Sequence, residues 1–138
     1  MTLQVELVAP DGEIWAGNAR MVIAKTLDGD IGILGSHPSV LGILAEGSVV
    51  EIRDPEEGPG AQDAIVRVAV RSGFLSVHDD RVSILVRQAE LGSQVDRASV
   101  QAQLDAALSE AEAGAGGEEE SAEVKYSRAL LRAAGDGS

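Results

Sequence analysis

Within the first ninety residues of this chain apolar residues recur at every second position in several runs. After Gly92 they recur at every third or fourth position, so the change of period divides the sequence into two kinds of structure. Leu3, Val5 and Leu7 alternate with Gln4 and Glu6. Val66, Val68 and Val70 alternate with Arg67, Ala69 and Arg71, and Val82, Ile84 and Val86 with Ser83, Leu85 and Arg87. Branched residues in this rhythm pack well on a pleated surface. Turn signals interrupt the runs at Pro10-Asp-Gly12, Asp28-Gly29, Gly35-Ser-His-Pro38, Glu46-Gly47 and His78-Asp79-Asp80. Many short strands at such spacing predict a β-sandwich or barrel. The polar, Pro- and Gly-broken stretch Asp54–Asp63 is expected to be an exposed loop tip between two strands.

Beyond Gly92 the pattern becomes helical. Ser93-Gln-Val-Asp96 resembles a capping box with Ser93 as the N-cap. Val100, Leu104, Leu108 and Ala111 then share one helix face, and Gly114–Gly117 is expected to end that helix. A second helix is expected over about Glu118 to Ala134, within a few residues at each end. It has an acidic start and a basic end (Lys125, Arg128, Arg132) that complement its dipole, and Gly135 is its stop. The predicted organisation is therefore of the α+β class. A β-sandwich over residues 1–90 precedes an antiparallel helical hairpin over residues 91–138. The apolar face of the hairpin is mostly alanine, with Leu104, Leu108, Leu130 and Leu131 as its larger groups. At roughly 0.8 kcal/mol per buried methylene, such a face gains little from docking, so the hairpin is expected to be weakly held and mobile.

Catalytic sets are absent from the sequence. There is no cysteine, which removes disulfides, thiol catalysis and cysteine-ligated zinc. His37 and His78 both fall in turns with no converging ligands, so no metal site is expected. No nucleophile elbow or Walker-type phosphate loop occurs. Gly29, Gly32 and Gly35 lack the dinucleotide spacing and sit in strand-like sequence. Asp28/Asp30 and Asp79/Asp80 read first as turn residues, with nothing to form a pKa-shifting pocket. The net charge of −12 disfavours nucleic acid and anionic lipid as partners. No apolar run approaches the roughly 20 residues that span a bilayer, and the first residues do not read as a secretion signal. A cytosolic protein without direct membrane insertion is expected, reaching a membrane only through a partner.

Several segments, in order, are similar to the epsilon subunits of F-type ATP synthases. Gly29-Asp-Ile-Gly-Ile-Leu-Gly-Ser-His-Pro38 resembles the family signature Gly-Glu-(Leu/Ile)-Gly-Ile-x-Pro-Gly-His. It departs from that signature in having Gly35-Ser36 before the histidine. Val8-Ala-Pro-Asp-Gly-Glu-Ile-Trp-Ala-Gly17 looks like the family's opening. Ser72-Gly-Phe-Leu-Ser-Val77 and Val82-Ser-Ile-Leu-Val86 look like two of its strands.

The resemblance implies a non-catalytic rotor subunit without cofactors. Its sandwich would grip the gamma subunit and sit on the ring of c subunits, at the cytoplasmic face of the cell membrane. There it would couple ring rotation to ATP synthesis. Its hairpin would relocate to make transient contact with the alpha and beta subunits of the catalytic head, restraining ATP hydrolysis. Asp30 occupies the family's acidic position facing the c ring, flanked by Gly29, Ile31 and Gly32, and His37 occupies the histidine position near gamma. Turn chemistry alone also accounts for these residues. Lys125, Arg128 and Arg132 are either contacts to the head or a solvated helix face. Some members bind ATP through Ile/Leu-Asp-x-x-Arg-Ala, but here Val95-Asp96-Arg97-Ala98-Ser99-Val100 has Ser99 at the arginine position, so no nucleotide site is expected. A free-standing sandwich adaptor and an unrecognised enzyme using Asp28, Asp30 and His37 are the other readings.

Overall fold

The computed structural model describes residues 2–58, 62–113 and 121–135. Seven strands come first: β1 (Leu3–Ala9), β2 (Gly12–Thr26), β3 (Gly29–Leu34), β4 (Val40–Leu44), β5 (Ser48–Glu57), β6 (Ile65–His78) and β7 (Arg81–Leu91). A short 3-10 turn over Gly92–Gln94 leads to helices α1 (Arg97–Ala113) and α2 (Ala122–Ala133). This is a seven-stranded β-sandwich followed by two packed helices.

The long strands β2 and β6 each serve both layers. The first half of β2 pairs antiparallel with β1; its second half lies between β3 and β5. β6 pairs with β5 through Val70 and with β4 from Gly73 onward, while β7 accompanies it from Val68 to His78. The change of partner falls at Ser72, which adopts φ 45° while the β6–β7 register runs on unbroken from Arg71↔Gln88 to Gly73↔Val86. A Cβ on the adjacent Gly73 would strike the Leu85 carbonyl oxygen and lie 2.9 Å from Val86 Cα. One pairing was not visible in the sequence: β1 runs parallel to β7, from Gln4↔Arg81 to Val8↔Leu85. It closes the circuit β1–β2–β5–β6–β7.

The alternating residues fill the interior. Leu3, Val5, Leu7, Val68, Val70, Val82, Ile84 and Trp15 are all buried in one cluster. Asp79 and Asp80, with φ of 50° and 60°, make the two-residue turn between β6 and β7. Two left-handed residues match the twist of the flanking strands, and aspartate tolerates that conformation.

Two local expectations are corrected, and the second helix falls within its expected margin. Asp54–Glu57 is strand rather than loop tip, because β5 continues alongside β2 to Asn18↔Glu57 after its pairing with β6 has ended at Arg53↔Ile65. With β6 no longer alongside, Pro55 sits where a missing N–H is tolerated. The N-cap of α1 is Asp96, not Ser93: its carboxylate accepts from Ser99 N–H at 3.2 Å, while Ser93 belongs to the 3-10 turn. The second helix starts at Ala122, capped by Ser121 Oγ accepting from Val124 N–H at 3.2 Å. The Gly114–Gly117 stop and Glu118–Glu120 lie outside the described residues. Gly135, with φ 94°, ends α2 and donates its N–H to the Arg132 carbonyl.

The hairpin is docked, through α2. Val124, Tyr126, Ala129, Leu130, Leu131 and Ala133 are buried with Ala69 of β6 and with Val100 and Leu104 of α1. The expectation of a thinly apolar face overlooked Val124 and Tyr126. It also treated alanine as poor packing, whereas Ala129 is fully buried because a small side chain lets the helix lie close to the sheet.

Candidate functional surfaces

Every second residue of a sheet layer points outward, so the sandwich has two outer faces. Outward residues Val49 of β5 and Ala69 of β6 meet α2. The other face carries Leu41 and Ile43 of β4, Phe74 of β6, Leu85 of β7 and Val8 of β1. Their registers align them: Ile43 lies opposite Phe74, Phe74 opposite Leu85, and Leu85 opposite Val8. Leu41, Ile43, Phe74 and Leu85 are 81%, 50%, 61% and 56% exposed. An apolar stripe thus crosses four strands with none of the described residues covering it, and contiguous exposed apolar surface marks an interaction site. Sequence reasoning missed it. The signal was Leu85 and Phe74 in the solvent phase of strands whose other phase, Ile84 and Leu75, is core.

The sequence-picked loop residues lie at opposite ends of β3. Gly29 opens the strand with φ 119° and its carbonyl accepts from Thr26 Oγ1 at 2.7 Å. Asp30 is exposed and lies opposite Lys25. Ile31 leans on the core, and a Cβ on Gly32 would lie 3.0 Å from Met21 Cε. His37 follows the far end of β3. From Asp30 to Leu34 alone is roughly 14 Å at about 3.4 Å per residue, so no single cluster contains Asp30 and His37. The His37 ring is half-buried, its Nδ1 2.7 Å from the Pro38 carbonyl. That loop is stapled to the β6–β7 turn. Ser36 N–H donates to the Asp80 carboxylate at 2.6 Å, and Ser39 Oγ lies 3.0 Å from His78 Nδ1. Ser36, at the signature's glycine position, adopts φ 64°, so serine takes up the left-handed backbone there.

A cleft of about 660 Å³ opens between α1, α2 and strands β6 and β7. Its lining carries Glu90, Asp96, Glu110 and Glu123 against Arg71, whose Nε is 3.3 Å from Glu46. Burial raises the Glu90 carboxyl above its usual range. Tyr126 is pushed up to about 12, first by burial and then by the charge of Glu90, with Arg71 opposing. Ser99 faces this cleft. The carboxylates of the cleft outnumber its one guanidinium, which is already paired with Glu46. Lys125 and Arg128 are half-buried on α2, and Arg132 Nη2 donates to the Gly47 carbonyl at 3.2 Å. Among the described residues no helix is long and apolar enough to cross a membrane, and no cluster of His, Asp or Glu could hold a metal ion.

Residues 2–92 match the family model described as the ATP synthase delta/epsilon chain β-sandwich domain. An ATP synthase epsilon chain of Thermobifida fusca (strain YX) is 47% identical over 133 residues, spanning 96% of this chain and 91% of that one. The fold resembles a chain in the Euglena gracilis mitochondrial ATP synthase (OSCP/F1/c-ring, rotational state 1), with TM-score 0.65, 18% identity, and coverage of 98% of this chain and 78% of that one. It also resembles a chain in the central stalk/c-ring structure of the Tetrahymena thermophila mitochondrial ATP synthase, with TM-score 0.57, 20% identity, and coverage of 97% and 91%.

Proposed function

Because the chain belongs to the ATP synthase epsilon chain family, we propose that its sandwich is seated on the gamma subunit through the bare apolar stripe, coupling rotation of the c ring to ATP synthesis. The protein is a non-catalytic component of the central stalk of an F-type ATP synthase. The observation that carries the seating is the row Ile43–Phe74–Leu85–Val8. Ile43, Phe74 and Leu85 are large exposed side chains in register, with half-buried Val8 at the end of the row, on an outer face that the described helices leave open. Gly29–Gly32, at the tip of the β2–β3 hairpin, turns toward the c ring, with exposed Asp30 available to a polar or basic group there. The stapled His37 loop adds a rigid edge to the gamma contact. The chain is thereby a peripheral protein at the cytoplasmic face of the cell membrane, held by the complex.

The helices form the regulatory part. In the docked arrangement Arg132 is bonded to the sandwich; on relocation it, with Lys125 and Arg128, becomes available to acidic surface on the alpha and beta subunits, restraining ATP hydrolysis. The test is co-purification of the intact chain with the gamma subunit of the same complex, followed by hydrolysis assays with and without the chain. A chain that fails to hold gamma refutes the seating; a chain that holds gamma and leaves hydrolysis unchanged refutes only the restraint.

A further inference from the structure

The docked helices are not held alike. Two sandwich glycines sit against the backbone of α2 at its opposite ends. A Cβ on Gly47, in the β4–β5 turn, would lie 2.6 Å from Lys125 Cβ and 2.6 Å from its carbonyl oxygen. A Cβ on Gly92, just after β7, would strike the Ala133 carbonyl oxygen and lie 2.6 Å from its carbonyl carbon. Lys125 and Ala133 are separated by about 12 Å of helix at roughly 1.5 Å per residue. The helix is therefore pinned at both ends where only glycine leaves room. Gly47 has φ +62°, which by itself favours glycine, but Gly92 does not lie in the left-handed region. Its missing side chain is explained by the approach of α2, with the Arg67 carbonyl at 3.2 Å as a lesser neighbour. Arg132 adds its hydrogen bond to the Gly47 carbonyl.

Among the described residues helix α1 has no such seat. Its Val100 and Leu104 pack in the cluster dominated by α2, and Arg97 Nη2 donates to the Ala134 carbonyl at the end of α2. Between α1 and strands β6 and β7 lies the open polar cleft.

We propose that docking is a latch formed by Gly47 and Gly92 on the backbone of α2, so that α2 is the element held and released while α1 is carried by it. Release then proceeds with α1 loosening first, and the sandwich is indifferent to it. Only the regulatory meaning of the latch rests on the relocation described above. Failure of that reading shows in ATP hydrolysis, failure of the latch in amide exchange.

Hydrogen exchange of the full chain, read by mass spectrometry, tests it. In the wild type, α1 amides exchange faster than α2 amides. Gly92→Ala accelerates exchange in α2 by about tenfold or more, which an ordinary overpacking penalty produces, and leaves β1 and β7 unchanged. Arg132→Ala accelerates α2 alone by a smaller factor, and Ser93→Ala, on the exposed side of the same turn, changes nothing. The latch is overturned if Gly92→Ala leaves α2 as protected as before, or loosens β1 and β7 together with α2. Equal protection of α1 and α2 in the wild type overturns the claim that α1 is carried.

Discussion

Replacing Phe74 by alanine separates the seating on gamma from the stability of the sandwich. An aromatic side chain has roughly 150–250 Å² to bury. Phe74 is 61% exposed in the isolated chain. About 120 Å² of it is therefore available to a partner, worth about 3 kcal/mol at roughly 25 cal/mol per Å². Alanine keeps the Cβ, and association does not return the full transfer value, so about 2 kcal/mol is the expected loss in binding. That is about a 30-fold weaker Kd for gamma. The same substitution removes only partial cross-strand packing with Ile43 and Leu85, which costs the free chain about 1 kcal/mol at most. Titration calorimetry of purified gamma against wild type, Phe74→Ala and Leu85→Ala, paired with thermal unfolding of each, reads both quantities. Phe74 and Leu85 face each other, so the double variant should lose less than the sum of the two. If both single variants bind gamma as tightly as the wild type, the stripe is not the seat. If affinity falls only in step with the folded fraction, the effect is stability and the argument fails as well.

Three further outcomes are expected. Tyr126 is the chain's one tyrosine, so its ionisation is read directly by ultraviolet absorbance. Its pKa of about 12 when docked exceeds the ordinary 10.0, so the phenol's contribution to docking is intact below pH 10 and is lost as pH rises toward 12. The titration should return to about 10 in the Gly92→Ala chain if its α2 is undocked; a titration near 10 in the wild type contradicts the buried phenol. ATP should show no heat of binding at micromolar concentration, given Ser99 and the acidic cleft, and micromolar affinity in calorimetry refutes that reading. Removing residues 94–138 should leave gamma binding intact and ATP hydrolysis equal or higher; a truncated chain that loses gamma would show that the helices share the grip.

The strands were legible because one side of each is dry. Burial on a single face forces a period of two, and Leu3/Val5/Leu7 and Val82/Ile84/Val86 need no further information. The β6–β7 hairpin was legible from Asp79-Asp80 for a similar local reason. Strand identity at Asp54–Glu57 was not, since it is imposed by the neighbouring β2 against the local preference of a Pro-containing segment. The parallel pairing of β1 with β7 joins the two ends of the sandwich and leaves no local trace. The cap moved from Ser93 to Asp96 because the chain first needs a 3-10 turn to pass Gly92 beneath Ala133, a tertiary demand no capping pattern encodes. Asp30 and His37 were found by resemblance, but their separation by the length of β3 is a fact of the fold.

The two outer faces solve the same physical problem with different residues. Both must remove apolar sheet surface from water. On the covered face small groups, Ala69, Ala129 and Ala133, bring the helix close, with Gly47 and Gly92 admitting backbone and Val124, Tyr126, Leu130 and Leu131 packing around them. Such a contact depends on close approach over a short helix, and a displacement of an ångström or two forfeits most of its dispersion energy at once. It is suited to two discrete states, docked and free. The bare face presents Phe74, Leu85, Ile43 and Leu41, whose burial gain is large and tolerant of small shifts. The proposed function asks for both properties: a seat that survives torque and a tail that lets go without disturbing it. On the proposed reading, placing them on opposite faces of one sandwich, with the core of Trp15, Leu75 and Ile84 between, keeps the release of the tail from loosening the seat.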